Sequence, residues 1–559
     1  MRLAKILIDK GLVNREQMDR ALEYKDSKRI RLDRALIQIG AVSEKDLLTA
    51  LGEHLNMPLV NLVQAPVDPE VVKLLPPKLV YRRRVMPLWH REGLLEVAIS
   101  NPFESYALDD IQLLTGRKVR AVLGCEEEIE RLIKEYYGLG GDTINELTGG
   151  IMDNGLLAPG IESAKSEDLM EMAQEASVIK LVNEIIVEAV NERASDIHIE
   201  PYEGELSIRY RVDGVLSPAS VPAQIHQFQA AIISRIKILA NLNIAERRVP
   251  QDGRIKFFIG GRQIDVRVSV IPMIFGEGIV MRLLDKASVL YSLPQLGMDE
   301  ETFASFKQLI NRPHGIILVT GPTGSGKTTT LYAALNAIVG EDIKVLTVED
   351  PVEYNLRGVN QIPVDHQVGM TFERGLRSIL RHDPDVVMIG EIRDLETAQA
   401  AVQASLTGHL VLSTLHTNDA CSAPMRLMDM GIEPYLVSST LIASMAQRLV
   451  RKLCNECKEA YEPNPKTLPA DLILSPSERL YRAVGCDACR QTGYKGRSGV
   501  YELMLMDEDI AELITHRKPT YEIVEAARKN GLRLLREDGW LKTRRGITDV
   551  SEVVKNTAI

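Results

Sequence analysis

IILVTGPTGSGKT, residues 316–328, decides how the C-terminal half of this chain is read. The apolar run from Ile316 to Val319 has the length of a buried strand, and a glycine-rich turn follows it. That turn carries Gly321, Gly326, Lys327 and Thr328 at every fixed position of the pattern G-x-x-x-x-G-K-[ST]. The helix-like TTTLYAALNAIV comes next, at 328–339. Small residues let successive backbone N–H groups converge on phosphate oxygens, and a helix start adds its positive dipole end. A nucleoside triphosphate is therefore expected against Gly321, Pro322, Thr323, Gly324, Ser325, Gly326, Lys327, Thr328 and Thr329. Lys327 can reach the β and γ phosphates, and the Thr328 hydroxyl can ligate Mg²⁺.

Working outward, the 559 residues suffice for roughly three or four domains. Apolar residues make up 45% and charged residues 26%, an ordinary balance for a globular protein. No stretch reaches the length of an apolar membrane span, and the N-terminus has no secretory signal pattern. The net charge of −10 argues against a nucleic-acid coat.

The first sixty residues hold an internal repeat. RLAKILIDKGLVNREQMDRAL starts at Arg2 and RLDRALIQIGAVSEKDLLTAL at Arg31. Each copy predicts a short amphipathic helix, a terminating glycine (Gly11, Gly40) and a second helix capped by Asn14 or Ser43. Residues 61–137 mix short strands with helices, so 1–137 reads as one N-terminal module with a helical part (1–60) and a small α/β part. The stretch 138–172, rich in glycine and acids, reads as a flexible linker. An amphipathic helix and alternating strands predict an α+β domain, PAS-like in type, over 173–289. Residues 290–559 are expected to form the nucleotide domain, a RecA-like α/β sheet. The whole is a multidomain α/β protein.

Three later segments read as strands ending in polar groups. KVLTVEDPVEY ends in Glu349, Asp350 and Glu353; DVVMIGEIRD in Glu391 and Arg393; HLVLSTLHTND in His416 and Asn418. In an open parallel sheet, ligands gather at the carboxyl ends of the strands. Glu391 is the candidate to position the attacking water, while Glu349, Asp350 and Glu353 suit Mg²⁺ and its waters. His409 and His416 bracket the third strand, and either could sense the γ phosphate or meet a subunit edge.

Cys454-Asn-Glu-Cys457 and Cys486-Asp-Ala-Cys489 make two CxxC knuckles, which together offer four soft ligands. Tetrahedral thiolate coordination favours Zn²⁺, and four protein ligands leave no open position, so the metal is structural. The zinc subdomain is expected over about 450–495.

Together these motifs resemble the secretion-type ATPase family, whose members power type II secretion, type IV pilus assembly and retraction, and conjugation. LTVEDPVEY matches its acidic box, ILRHDPDVVMIGEIRDLETA its second nucleotide box and TGHLVLSTLHTNDA its histidine box. The resemblance places the catalytic acid at Glu391. His382 departs from the family's usual glutamine, while the acid and glycine after it are intact. ASDIHIEPYEGELSIRYRVDG and AERRVPQDGRI match the preceding domain, from which arginines approach the nucleotide in relatives. Arg209, Arg211, Arg267 and Arg282 are the local candidates. LCNECKEAYEPN and GCDACRQTGYKGRSGVYE match the tetracysteine insertion of secretion and pilus-extension members.

The resemblance further implies a homohexamer on the cytoplasmic side of the inner membrane. Its partners there would be the cytoplasmic domain of an inner-membrane secretion protein and the platform protein, with no nucleic acid. DMGIEPYLVSSTLIASMAQRLVRKLC and LYRAVGC look closer to the type II secretion branch than to pilus extension. A nucleic-acid translocase and a non-hydrolysing scaffold are the readings from other classes. In some members the repeated N-terminal domain binds cyclic di-GMP, using Arg-Leu-Gly and a later Gln in each copy. Here Ala4 and Asp33 replace the glycines, and Lys25 and His54 the glutamines. Loss of these positions predicts that cyclic di-GMP is not bound.

Overall fold

The computed structural model describes residues 4, 7–8, 10–28, 30–62, 65–91, 93–103, 105–138, 176–259, 261–285, 291–475 and 478–557. The linker read over 138–172 falls almost wholly outside the described residues. The chain divides into two compact units, Met1–Leu284 and Asp285–Ile559.

In the first unit the repeat forms helices Arg15–Lys28, Leu32–Gln38 and Glu44–Leu55. Both expected caps are present. Asn14 and Gln17 exchange backbone-to-side-chain bonds at 2.8 and 3.0 Å, and Ser43 Oγ accepts from the Asp46 N–H at 3.1 Å. Such caps satisfy backbone donors that the first helical turn leaves free. Leu36, Leu47 and Leu51 share one apolar core with Leu88, Val97 and Val122 of a three-stranded sheet. Its strands are β1 (Val85–Arg91), β2 (Leu94–Ile99) and β3 (Lys118–Leu123), with β1–β2 antiparallel and β2–β3 parallel. The helical and α/β parts therefore fold together.

The same unit contains a six-stranded sheet of order β6-β5-β4-β9-β8-β7. Its strands are β4 (Ala194–Tyr202), β5 (Glu205–Val212), β6 (Val215–Pro218), β7 (Gln251–Ile259), β8 (Arg262–Met273) and β9 (Gly276–Asp285). Burial alternates along β4, β5 and β8, as period-2 patterning requires. The inward set packs with the helices Ala176–Asn191 and Gln229–Leu239. The short β6 carries no alternation the sequence could reveal.

The second unit is built on a seven-stranded sheet of order β12-β11-β13-β14-β10-β15-β18. Its strands are β10 (Gly315–Thr320), β11 (Val345–Glu349), β12 (Val359–Pro363), β13 (Val386–Ile389), β14 (Leu410–Leu415), β15 (Leu441–Leu453) and β18 (Tyr494–Leu505). All neighbours pair in parallel except β15–β18. β10, β11, β13 and β14 are buried along their whole length, as strands covered on both faces are. A two-stranded ribbon, β16 (Glu459–Tyr461) with β17 (Leu480–Arg482), carries the cysteine-bearing subdomain. Among the described residues no helix is long and apolar enough to cross a membrane.

Candidate active site

Strand order decides which polar groups meet. β14 lies between β10, which feeds the phosphate loop, and β13, which feeds Glu391. The carboxyl ends of the three therefore adjoin. The turn after β10 needs glycine where backbones crowd. At Gly321, with φ +142°, an added Cβ would fall 2.6 Å from Gln447 O, and Gly326 has φ +90°. The helix Lys327–Ile338 starts directly behind. Lys327 Nζ donates to the carbonyls of Gly321 (2.8 Å) and Pro322 (3.0 Å), the loop's own acceptors. Burial draws the Lys327 pKa below its ordinary value, while the nearby Glu391 charge opposes the fall. Thr328 and Thr329 are exposed.

Glu391 is pinned from two sides. Arg393 pairs with Oε1 at 2.5 Å, and His416 Nε2 stands 3.3 Å from Oε2. Its backbone is fastened to β14: the Thr414 hydroxyl donates to Gly390 O at 2.8 Å, and the Ile392 N–H to Thr414 O at 3.0 Å. His416 thus contacts Glu391, whose charge acts on Lys327. Arg393, already noted at the strand end, had no role assigned to it in the sequence, and its contact with Glu391 supplies one.

Two expectations are corrected. His409 precedes β14 and pairs with the start of β10, its carbonyl accepting from the Gly315 N–H at 3.3 Å. The strand rises ~3.3 Å per residue, so His409 lies roughly 20 Å from the end that carries His416. Its Nδ1 sits 2.8 Å from Ala404 O, so its ring serves the preceding helix end. Glu349 also differs from expectation. It is 3% exposed, turned into the core and held by the hydroxyls of Tyr332 and Thr347 and the Gln361 amide. A buried carboxylate held by three donors on other residues is fixed as part of the core rather than presented at the strand end. Of its neighbours, Asp350 is exposed, 3.6 Å from His366, and Glu353 has its N–H on the Tyr332 hydroxyl at 3.3 Å.

In the first unit Arg209, Arg211 and Arg282 share one face with acids of β4. Arg209 pairs with Glu200, and Arg282 Nε donates to Asp196 at 3.1 Å. Arg211 lies 3.8 Å from Asp196, and Arg267 faces Arg254 across the β7–β8 register.

The four cysteine sulfurs lie within 4.8 Å of one another. Three pairs stand 3.7–3.8 Å apart. A tetrahedral ion bound at ~2.3 Å to each sulfur has edges of ~3.8 Å, so the donor set fits such a metal. The N–H groups of Gly485 and Gly493 point at Cys457 and Cys489 sulfurs (3.3 and 3.1 Å). Such bonds stabilise thiolates.

The family model described as type II/IV secretion system protein matches residues 171–555, and that of the MshEN domain matches 55–143. The type IV pilus assembly ATPase PilB of Myxococcus xanthus is 42% identical over 100% of this chain and 99% of its own. This chain belongs to the secretion and type IV pilus ATPase family. Type II secretion system protein E of Xanthomonas campestris is 44% identical over 100% and 98%. The Yersinia pseudotuberculosis ATPase DotB, at 21% identity, shares the fold: TM-score 0.50, covering 66% of this chain and 91% of that one. The enzyme hydrolyses ATP, using Mg²⁺ as its family does.

The expectation that the ATPase does not bind cyclic di-GMP is overturned. The MshEN match covers the α/β part of the N-terminal module. Arg31 pairs with the Asp33 carboxylate at 2.7 Å, which offsets its charge. Both line a cavity of about 460 Å³ with Arg34, Arg82, Arg83 and Arg84, where cations outnumber acids.

Proposed function

We propose that this ATPase drives pseudopilus growth and protein export in type II secretion. One observation carries the motor reading: Lys327, Glu391 and His416 converge at the carboxyl ends of adjacent parallel strands. Lys327 holds the β and γ phosphates, Thr328 ligates Mg²⁺, and Glu391 orients the attacking water and takes its proton. Mg²⁺ held at Thr328 would supply positive charge against that developing on the phosphate oxygens. His416 and Arg393 keep the Glu391 carboxylate in place. Arginines of the 173–289 domain, whose antiparallel sheet supports the PAS-like reading, would exchange their acid partners for phosphate. A homohexamer lets neighbouring subunits complete each site.

Residues 1–137 are the docking module for the cytoplasmic domain of an inner-membrane protein, which keeps the ATPase at the membrane beside the platform protein. The four cysteines hold one structural Zn²⁺. The choice of secretion over pilus extension rests on the segments around Met430–Cys454 and Leu480–Cys486. Expression in two strains of the source organism, one lacking its secretion ATPase and one its pilus ATPase, tests it. Export restored without pili supports the reading; pili restored without export reverses it.

The cavity of the N-terminal module supports a second role for that module. We infer that it takes a cyclic dinucleotide, whose two phosphates suit the five arginines. Calorimetric titration of the full chain with cyclic di-GMP should show saturable binding that R31A/R34A weakens at least tenfold. No heat at millimolar ligand would sink this reading.

A further inference from the structure

β15 is longer than its neighbour β10 and runs past it. Thr320, the last residue of β10, pairs with Ala446, so Gln447 and Arg448 of β15 continue alongside the phosphate loop. Alternation sends the two side chains to opposite faces. Gln447 accepts from the Thr330 hydroxyl at 2.8 Å and braces the helix behind the loop. Arg448 points the other way, towards the segment that leaves β14.

The Arg448 guanidinium stands at a junction. An added Cβ on Gly321 would lie 3.0 Å from its Nη1, so it abuts the mouth of the phosphate loop. Its Nη2 donates to Asn418 O at 3.0 Å, with Asn418 Oδ1 at 3.4 Å. Two residues back on that same segment is His416, which contacts Glu391. The far end of the segment is fixed separately. The Ala420 N–H donates to the buried Glu502 at 2.8 Å, and the Ser444 hydroxyl to Ala420 O at 2.7 Å. Residues 416–419 are therefore held at Asn418 by Arg448, with the Thr320 hydroxyl 3.4 Å from Asp419 O, and just past their end by the Ala420 contacts. A guanidinium suits this place because its rigid fork serves several acceptors while keeping its charge.

We propose that Arg448 is a positioning residue for hydrolysis: it ties segment 416–419 to the phosphate loop and so holds His416 against Glu391. The proposal rests on the reading that His416 and Glu391 act together on ATP. Arg448 acts through His416, and its loss misaligns the pair without emptying the nucleotide site.

A double-mutant cycle on the assembled full-length protein tests this, with kcat, KM for MgATP and binding of a fluorescent ADP analogue as readouts. R448A should lower kcat about three- to tenfold, no more than H416A does, with KM and analogue affinity within threefold of wild type. R448K, which keeps a donor for Asn418 O without the fork, should fall between the two. In an H416A background, R448A should cost less than twofold further. Wild-type kcat in R448A beside an impaired H416A overturns this proposal alone. Fully additive losses overturn it as well, as does a loss of analogue affinity matching the loss of kcat. Wild-type kcat in H416A overturns both the proposal and the reading beneath it. If R448A does not assemble, the cycle is run with R448K, where a drop in kcat absorbed by H416A supports the proposal and additivity rejects it.

Discussion

His416 Nε2 lies 3.3 Å from Oε2 of Glu391, across the boundary between two adjacent parallel strands. The contact joins the residue after β14 to the second residue after β13, beside a phosphate loop fed by the next strand over. It marks the end of the sheet at which the proposed site is built.

Glu391→Gln keeps the shape and removes the base. Nucleotide affinity should stay within threefold of wild type while kcat falls at least ~100-fold, the scale of a positioned general base. Near-wild-type turnover in matched oligomers would assign the water to another group.

The two histidines should separate cleanly. H416A is expected to lower kcat about tenfold, through loss of its hold on Glu391. H409A, at the other end of the strand, should leave steady-state turnover within twofold. Equal effects would contradict the placement of His409.

Tyr332→Phe leaves the buried Glu349 carboxylate short of a donor. Thermal or urea unfolding should register a loss of about 1–3 kcal/mol. KM for MgATP should move little, because Glu349 faces the core. A large KM change with unchanged stability would return Glu349 to the metal site.

Protein prepared without added zinc should contain about one Zn²⁺ per chain, the complement of a four-thiolate site. Chelation or Cys454→Ser should lower the melting temperature before activity is lost. A stable, active, metal-free preparation would exclude the site as structural.

Burial pushes Glu502 up to about 7, against the two backbone N–H groups it accepts from, those of Ala420 and Leu535. Its folded pKa lies above its unfolded value, so the native state holds the proton more tightly. The stability from this group is complete below about pH 4.5 and is lost as pH rises to about 7. Melting temperatures between pH 5 and 8 should fall more steeply in wild type than in E502Q. Identical profiles would remove Glu502 as the source.

Local patterning explains what was legible beforehand. The strand, turn and helix around Gly321–Thr328 are one contiguous stretch whose backbone demands are written in its own glycines. The caps at Asn14 and Ser43 depend on residues three positions away. The cysteine knuckles could be paired because two local turns each supply half of a tetrahedron. Arg448 was out of reach: it lies more than a hundred residues from Gly321, and only the overshoot of β15 past β10 brings them together.

Sequence alone determined that this chain carries a glycine-rich loop of the phosphate-binding pattern, an acid just after a buried strand, two cysteine knuckles and paired helical repeats, because each is encoded by neighbours or by one spacing. Only the tertiary structure decided which strand-end groups face the nucleotide. A strand-end carboxylate can turn either way, and for Glu349 the choice fell to Tyr332 and Gln361, residues on other elements. Likewise His409 and His416 read alike as a pair seven residues apart. An extended strand of six residues holds its two ends roughly 20 Å apart, so the two histidines cannot stand at the same end of the sheet. The arginine-lined cavity of the N-terminal module had the same origin. Arg31 and Arg34 of the repeat line one cavity with Arg82, Arg83 and Arg84 of the α/β part, and only the packing of the two parts in a shared core brings these residues together.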